Sequence, residues 1–580
     1  MKPDGYHLLL GGAALRGRRP APRARDGNGA PLVEQGAPGI VLTAGKRCGL
    51  VVLPGDTGFI LGTLFDRSGR RLRSVTPETA AAWVTMRGRT LIERHWGAWL
   101  AVLRTAEGML LIRDPSGMFP CYYRVADDGV SVASDLAWAD CKGPMPRGIS
   151  WDEVHAQLHY SSFRSARTAI EGLHELLPGA SLLVAEGSTR GGQLWTPYGF
   201  ASGWGGLPGF GECAERLRRT TDLTVASWAR QFDRPLIDLS GGLDSSIVAA
   251  ACANAAPALE AVSYRGGDAD LDETGYARAV ADHLGIPLHR ERLDLGLVDL
   301  RRSAAGDLPR PSGRSFSQAN DVQDIALATR LGCDAFFAGA GGDSIFWYFN
   351  SAAPALDRLK VEGPAGFLRT TSDLATMCGV SRRRALAIAL RKWAQRRPRP
   401  WPNSVALLAR EAREKASQGA HPWWPPPPGT LPGVRAYVLA LIQLGDHHEY
   451  HLRSRHAPLI APLASQPIVE TCLGIPSWLS CSGGANRAVA RAAFADRLPP
   501  SILARRTKGG FDGFVHELLE RNRPVARAML LDGTLAGRGW LDCATIERLL
   551  ADPAPVAPQI SLRLLRLIAV EAWLAAVGGR

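Results

Sequence analysis

The sequence has few of the features that mark secreted or membrane proteins. Its 10 cysteines are scattered over 580 residues without a CxxC pair, unlike a zinc module or a small disulfide framework. No uninterrupted apolar run approaches the length that crosses a bilayer. The apolar patch LLLGGAAL near the N-terminus follows Asp4 and precedes a basic run, an order of charges that argues against a signal peptide. We therefore expect a cytoplasmic protein with reduced thiols.

Length and composition are those of a folded protein with more than one domain. A chain of 580 residues exceeds what one hydrophobic core usually organises. Its 46% hydrophobic and 21% charged residues exclude a disordered chain. The net charge of +13 favours an acidic partner without naming one. RNA, an acidic peptide, nucleotide phosphates and an anionic membrane surface all fit this charge.

The spacing of apolar residues changes in the second third of the chain. Up to about Leu194, short apolar runs are punctuated by Gly, Pro and Asp, a pattern typical of a layered β-rich domain. After the Gly-rich stretch 201–212, the best candidate linker, helices alternate with strands, which indicates a parallel sheet covered by helices. We predict an α/β protein of two domains, residues 1–205 and 206–580. Within the second, residues 365–438 should be helical with Pro-rich breaks, and 421–433 should be a loop.

The stretch LIDLSGGLDSSIVAAA, residues 236–251, leads from an apolar strand through two glycines into a helix of small residues. In a parallel sheet, ligands lie beyond the carboxyl ends of the strands, where the next helix presents free N–H groups to anions. Glycines let the backbone approach a phosphate, serine hydroxyls can donate to its oxygens, and an aspartate can hold a bridging Mg²⁺. The residues that would do so are Ser240, Gly241, Gly242, Asp244 and Ser245. The lysine-bearing GxxxxGK[ST] spacing is absent.

Two further segments carry chemistry of the same kind. FFAGAGGDSIF, residues 336–346, again leads from an apolar strand into glycines and an aspartate, Asp343. Two carboxylates at the ends of neighbouring parallel strands could share magnesium around pyrophosphate. Near the C-terminus, ARRTKGGF places Arg506, Lys508 and Phe511 in a basic loop. A flexible lysine can neutralise charge that develops on a phosphate or an oxyanion.

These segments together resemble a known family. SGGLDSS resembles the pyrophosphate loop of the ATP pyrophosphatase group, which cleaves ATP between its α- and β-phosphates. With GAGGD and the R-x-K-x-x-F segment, it is similar to asparagine synthetase B and its relatives. Segments from WGAWLAVLR to QLWTPY resemble the glutamine-hydrolysing domain of that family, an Ntn-type αββα layer fold. The resemblance implies ATP and Mg²⁺ as cofactors, with Asp244 and Asp343 as metal ligands and Lys508 and Arg506 as catalytic residues.

The same resemblance extends the nucleotide site. It implies that ATP and pyrophosphate contact Leu239, Ser240, Gly241, Gly242, Asp244, Ser245, Ser263, Gly341 and Gly342.

The N-terminal half departs from the family pattern. The glutamine-hydrolysing domain uses an N-terminal cysteine as its nucleophile. Here Lys2 stands at that position, and the first cysteine is Cys48. We therefore expect that ammonia from glutamine is not the nucleophile and that this domain is retained for structure or docking.

The second half departs at its acid–base residues. In the family's E-x-R-x-P segment, Pro458 and Ile460 replace the glutamate and the arginine. In β-lactam synthetase that glutamate pairs with a tyrosine to help deprotonate a poorly nucleophilic amide, and Ala340 stands at the tyrosine position. An α-amine needs less help, because its pKa of about 8 leaves a neutral fraction at cellular pH.

These departures favour a lasso peptide cyclase, in which an Asp or Glu side chain of a precursor peptide is adenylated and the N-terminal amine closes a macrolactam. The resemblance implies a precursor peptide, a leader-binding protein, a leader peptidase and an associated exporter as partners, and no nucleic acid. A β-lactam synthetase-like enzyme and an ammonia-dependent asparagine synthetase remain alternatives. A tRNA-modifying ATP pyrophosphatase would use the positive charge, but the N-terminal half argues against it. A catalytically dead scaffold is disfavoured because both aspartates and Lys508 are present.

Two weaker patterns remain. His447 and His451 lie one helical turn apart, and we interpret them as a polar helix face lining the substrate cavity rather than a metal site. A basic run without an acid has either of two roles, a solvated helix face or a dock for an acidic leader peptide or partner. Its members are Arg382, Arg383, Arg384, Arg391, Lys392, Arg396, Arg397 and Arg399.

Overall fold

The structure is a computed structural model. It describes residues 4–11, 33–37, 39–127, 129–140, 148–160, 163–201, 209–265, 274–312, 314, 317–348, 351–394, 401, 403–414, 419–445, 449, 451–506, 511–552 and 554–578. The predicted boundary between residues 205 and 206 lies outside this part of the chain and stays a prediction.

The strands form three sheets. They are β1 (Tyr6–Leu10), β2 (Val33–Ala37), β3 (Ile40–Ala44), β4 (Leu50–Val52), β5 (Gly58–Asp66), β6 (His95–Thr105), β7 (Gly108–Arg113), β8 (Tyr122–Ala126), β9 (Gly129–Ala133), β10 (His174–Glu175), β11 (Ala180–Ala185), β12 (Ser188–Gln193), β13 (Pro235–Asp238), β14 (Glu260–Arg265), β15 (Leu288–Arg292), β16 (Ala335–Ala338) and β17 (Leu459–Ile460).

The first twelve strands make two antiparallel sheets, as the short apolar runs predict. Their orders are β10-β8-β9-β1-β3-β2 and β12-β11-β7-β6-β5-β4. Alternate residues of facing strands, among them Leu8, Leu61 and Leu111, form one buried cluster between the two sheets. The other face of the second sheet packs through Ile60 and Ile112 against helices. The apolar alternation with period two therefore produces two stacked sheets.

The last five strands make a parallel sheet in the order β15-β14-β13-β16-β17. β13 lies at its centre, with Ile237 opposite Ala261 on one side and Phe337 on the other. Ile237 and Phe337 belong to one buried cluster, whereas their neighbours Leu236 and Phe336 belong to another. Both faces of the sheet are thus covered at its centre, which explains why β13 and β16 are apolar, whereas the edge strand β15, LHRER, is polar.

Helices account for most of the second half. The α-helices are Pro77–Thr85, Arg89–Arg94, Leu136–Ala139, Trp151–His159, Phe210–Ala229, Leu243–Ala253, Thr274–Leu284, Gln318–Leu331, Gly342–Ile345, Ala353–Glu362, Pro364–Cys378, Arg382–Ala394, Pro432–Ile442, Gln466–Leu473, Ala488–Ala493, Pro500–Ala504, Phe511–Arg521, Arg523–Leu531, Thr534–Gly537, Cys543–Ala551 and Pro558–Gly578.

These bounds confirm most of the predicted elements. The fold is mixed α/β, the helices between residues 353 and 442 are broken as predicted, and the Pro-rich segment stays non-helical up to Pro432. The predicted linker is wrong at its end, because the helix begins at Phe210, where apolar periodicity outweighs the local glycines. Of the basic run, Arg382, Arg383, Arg384 and Arg391 are exposed on the helix Arg382–Ala394, and Arg396, Arg397 and Arg399 lie outside the described residues.

The two halves of the chain share a continuous core. Phe65 of β5 meets the Trp228 ring of the helix Phe210–Ala229 edge-on, with the ring centroids 5.0 Å apart. Trp228 in turn donates from Nε1 to the Ser465 hydroxyl at 3.0 Å. Within the described residues, no helix combines the length and apolar character needed to cross a membrane.

Candidate active site

The two predicted acidic loops meet at one edge of the parallel sheet. β13 and β16 are neighbours, and both end at this edge. The chain turns to β14 on one side of β13 and returns to β16 on the other, so the crevice between their carboxyl ends is the topological switch point where such sheets bind ligands. Gly241 adopts a left-handed φ of +65°, and the helix that follows begins at Leu243. Free N–H groups at this helix start are suited to an anion.

Glycines allow the two loops to pack backbone to backbone. A Cβ on Gly342 would lie 2.4 Å from the Asp244 Cβ, and a Cβ on Gly339 would lie 2.6 Å from the Ser245 nitrogen. Either distance is shorter than real Cβ contacts. These glycines therefore let Asp244 and Asp343 share one site, although about a hundred residues separate them in the sequence.

A single guanidinium joins the two aspartates. Arg487 donates from Nη1 to both carboxylate oxygens of Asp244 at 2.9 and 2.8 Å, and to Asp343 Oδ1 at 2.6 Å. No group of three or more His, Cys, Asp or Glu residues that could hold a metal occurs in the described parts of the chain. A pair of carboxylates is nevertheless what Mg²⁺ uses when phosphate oxygens and water complete its shell. The two carboxylates thus fit the predicted Mg²⁺, and the Arg487 guanidinium would compete with the ion for them.

A cavity of about 390 Å³ opens at these loops. Ser240, Gly242, Asp244, Ser245 and Asp343 line it, which confirms that the sequence motifs converge. Six arginines face the cavity against three aspartates, an excess of positive charge that suits a polyphosphate. The arginines are Arg314, Arg453, Arg487, Arg491, Arg505 and Arg506.

The third motif reaches the same cavity. Arg506 is exposed and lines it, whereas Lys508 lies outside the described residues and its catalytic role stays a prediction. Arg505, which the motif did not single out, donates to the Gly241 carbonyl at 3.0 Å. Arg491 holds this segment in place by donating to three carbonyls, including that of Arg505 at 2.9 Å.

A second cavity of about 360 Å³ lies beside the first and is lined by Leu239 and Ser263, both predicted nucleotide contacts. Gly341 takes a left-handed φ of +82° at the start of the short helix Gly342–Ile345. Neither Gly341 nor Gly342 lines the cavities; they shape the loop that carries Asp343.

A charged network that the sequence did not predict contributes Asp238 and Arg453 to the lining of both cavities. Arg453 donates to both carboxylate oxygens of Asp238 at 2.9 and 2.7 Å, and it also pairs with Asp321 and Asp324. Burial and the neighbouring Asp238 raise the pKa of Asp324 against the effect of Arg453. The Tyr264 hydroxyl donates to Asp324 at 2.6 Å. No sequence motif joins these residues, because they come from four separate segments.

The two predicted histidines have different outcomes. His451 lines both cavities, as predicted, but it precedes a 3-10 turn at Leu452–Arg455 and does not lie on an α-helix. Pro458, three residues after this turn, stops a helix from continuing beyond it. His447 lies outside the described residues.

The N-terminal half has no described thiol suited to nucleophilic attack on glutamine. Burial raises the pKa of Cys48 to about 12 and that of Cys121 also to about 12. Attack requires a thiolate, and such thiols stay protonated at cellular pH. Residues 1–3 lie outside the described part of the chain, so the expectation about Lys2 stays a prediction.

Comparison with known proteins identifies the family. The asparagine synthase family model matches residues 216–575. This is more than half of the chain, so the protein belongs to the asparagine synthase family and is an asparagine synthetase-like enzyme. The carboxyethyl-arginine beta-lactam-synthase of Streptomyces clavuligerus is 32% identical over 197 residues, which cover 34% of this chain and 35% of that protein. The chain thus matches about a third of the length of this curated relative.

Two solved structures show a weaker similarity. One is the allosteric regulatory enzyme of purine biosynthesis, with 9% identity, a TM-score of 0.20 and coverage of 50% of this chain and 74% of that chain. The other is the glutamine phosphoribosylpyrophosphate amidotransferase from B. subtilis complexed with ADP and GMP, with 10% identity, a TM-score of 0.19 and coverage of 50% and 59%. TM-scores this low add nothing to the fold described above.

Proposed function

We propose that this protein is an ATP-dependent lasso peptide cyclase. It adenylates an Asp or Glu side chain of a precursor core peptide and forms a macrolactam with the peptide's N-terminal amine. In this proposal residues 1–205 are a degenerate glutaminase-like domain of the Ntn type, and residues 206–580 are an adenylating domain of the ATP pyrophosphatase type.

The composition of one cavity wall carries the proposal. Ala340, Leu459 and Ala461 line the cavity beside the aspartate loops. The tyrosine of the β-lactam synthetase dyad is replaced by Ala340, and its glutamate by Pro458. A wall without this dyad suits a nucleophile that is already partly deprotonated, such as an α-amine.

The residues present suit the adenylation step. The serines and backbone N–H groups of the loop 240–245 would hold the phosphates, and Leu239 and Ser263 would contact the nucleoside in the second cavity. Asp244 and Asp343 would hold Mg²⁺, which neutralises phosphate charge when bound. Arg506 and Lys508 would offset the charge that develops at the α-phosphate.

Bonds and protons balance over two steps. A carboxylate oxygen of the peptide attacks the α-phosphorus, the bond to the β-phosphate breaks, and pyrophosphate leaves. The amine nitrogen then attacks the acyl carbon, the bond to AMP breaks, and one proton leaves the nitrogen. The peptide loses one water overall, and ATP becomes AMP and pyrophosphate.

The partners follow from this reaction. A free N-terminal amine requires that a leader peptide has been removed, so we propose a leader-binding protein and a leader peptidase upstream, with an exporter for the product. The exposed arginines of the helix Arg382–Ala394 remain a candidate dock for one of these partners.

The test is incubation of the purified protein with Mg-ATP and the synthetic core peptide encoded beside its gene. We expect AMP together with a peptide lighter by one water. The same peptide with an acetylated N-terminus should give AMP without this mass change, since its amine cannot attack.

Two Asp→Ala variants test whether the predicted site carries out the reaction. Asp244→Ala should abolish ring closure, whereas Asp282→Ala, at an exposed position on the helix Thr274–Leu284, should not. Turnover of free aspartate with ammonium would instead indicate asparagine synthesis. Lactam formation only with a small carboxyethyl-amino acid would indicate β-lactam synthesis, which the partial alignment keeps as the second candidate.

A further inference from the structure

The proposed ring closure leaves one proton without an acceptor, and the following inference rests on that proposed function. The attacking amine must lose a proton as the amide forms. The family's glutamate and tyrosine are replaced by Pro458 and Ala340. A proton acceptor at this site must therefore come from another part of the cavity wall.

His451 is placed to accept this proton. It lines both cavities, and its side chain is about one-tenth exposed. Its Nδ1 lies 3.4 Å from Asp321 Oδ1, and the other oxygen of Asp321 accepts the Leu452 N–H at 2.6 Å. Among the described residues, none makes a hydrogen bond with Nε2 of His451.

The other charged groups of the larger cavity are less suited. Asp244 and Asp343 are held by Arg487, and Asp238 is held by Arg453. Guanidiniums remain protonated at cellular pH and cannot accept a proton. Of the described residues that line this cavity, His451 alone carries an imidazole.

The surroundings of His451 keep its ring neutral. Burial is the largest influence and lowers the pKa, Asp321 raises it, and Arg453 and Arg314 lower it further, so that the net pKa lies below the usual 6.5. A base must be neutral before it accepts a proton. At cellular pH, His451 therefore starts in the required form.

We propose that His451 accepts, at Nε2, the proton that the amine loses as it attacks the acyl carbon, with Asp321 as the positioning residue at Nδ1. The new C–N bond forms, the bond between the acyl carbon and the AMP oxygen breaks, AMP leaves with that electron pair, and the proton moves from nitrogen to the ring. The imidazolium is stabilised by the Asp321 carboxylate, as in other histidine–aspartate pairs.

The test separates the two half-reactions. His451→Gln should retain peptide-dependent ATP–pyrophosphate exchange within about twofold, and the macrolactam should form roughly a hundredfold more slowly, the usual range for loss of a general base. Adenylate would then be lost to water, so AMP should exceed lactam. Asp321→Asn should show the same split with a smaller loss. Imidazole in the buffer should partly restore ring closure in His451→Ala.

His283→Gln, at an exposed position, is the matched control and should behave as the wild type. Equal lactam rates in His451→Gln and the wild type would overturn the inference and leave the proposed function intact. Loss of exchange together with ring closure would also overturn it, because the residue would then serve adenylation or folding. A wild-type protein that neither adenylates nor cyclises the peptide would refute the proposed function and this inference with it.

Discussion

Glu175 is the centre of a buried ionic network that links the two halves of the chain. Its side chain is 1% exposed and accepts from Arg113 at 2.7 Å, Arg164 at 2.8 Å and Arg310 at 2.6 Å. Arg164 also donates to Glu449, two residues before His451 in the second half, at 2.7 Å. Replacing Glu175 by the isosteric Gln removes one charge and leaves three buried guanidiniums with less compensation.

The expected loss can be worked from the pKa. Burial raises the pKa of Glu175, but the guanidiniums of Arg164, Arg310 and Arg113 outweigh burial and lower it from 4.5 to about 2. One pKa unit corresponds to about 1.4 kcal/mol, so the ionised carboxylate contributes about 3 kcal/mol to the free energy of unfolding at neutral pH. Breaking a buried ion pair from one side costs about 3 to 5 kcal/mol, which agrees. Because the folded pKa is the lower one, this stabilisation is complete above about pH 4.5 and is lost as the pH falls towards 2.

The assay is urea-induced unfolding at neutral pH and near pH 3, followed by tryptophan fluorescence. Glu175→Gln should lower the free energy of unfolding by about 3 kcal/mol at neutral pH, and the difference from the wild type should shrink in acid. Glu107→Gln is the matched control, because Glu107 is half exposed and pairs with Arg87 and Arg190 at the surface. Its loss should stay below about 1 kcal/mol. A loss of less than about 1 kcal/mol in the free energy of unfolding of Glu175→Gln, or a loss that does not depend on pH, would refute the reasoning.

Two further predictions concern a cation and a buried histidine. Arg487→Gln removes the guanidinium that competes for Asp244 and Asp343, so Mn²⁺ binding without nucleotide, measured by calorimetry, should tighten about tenfold or more; unchanged affinity would show no competition. Burial lowers the pKa of His421 to about 3. As the pH falls below about 6.5, the imidazole is therefore protonated in the unfolded chain but not in the folded one. The free energy of unfolding should then decrease by about 1.4 kcal/mol per pH unit between pH 6.5 and 3. His421→Gln should remove this pH dependence from unfolding titrations, whereas the control His283→Gln should keep it. If the pH dependence persists in His421→Gln, His421 is not its source.

Much of the site was predictable because its parts are local. An apolar run, two glycines and small helix-forming residues define a strand, a turn and a helix within 236–251, and the structure has each of them. The same pattern at 336–346 identified the second loop, and the convergence of two parallel strands at one edge follows from topology. The helix start at Phe210 was missed because glycines nearby suggested a linker, although the helix pattern continues through them.

Apart from Arg506, the arginines of the site could not be named from the sequence, although the need for them could have been inferred. Two carboxylates held together at the end of a sheet repel each other, so a cation must lie near them when no metal is bound. That cation is Arg487, which is 243 positions from Asp244 and 144 from Asp343. Nothing local distinguishes it among the 68 Lys and Arg residues of the chain. Arg453 compensates the charge of Asp238 in the same way. An acidic motif found in a sequence therefore predicts a neighbouring cation, even when the sequence does not show which residue supplies it.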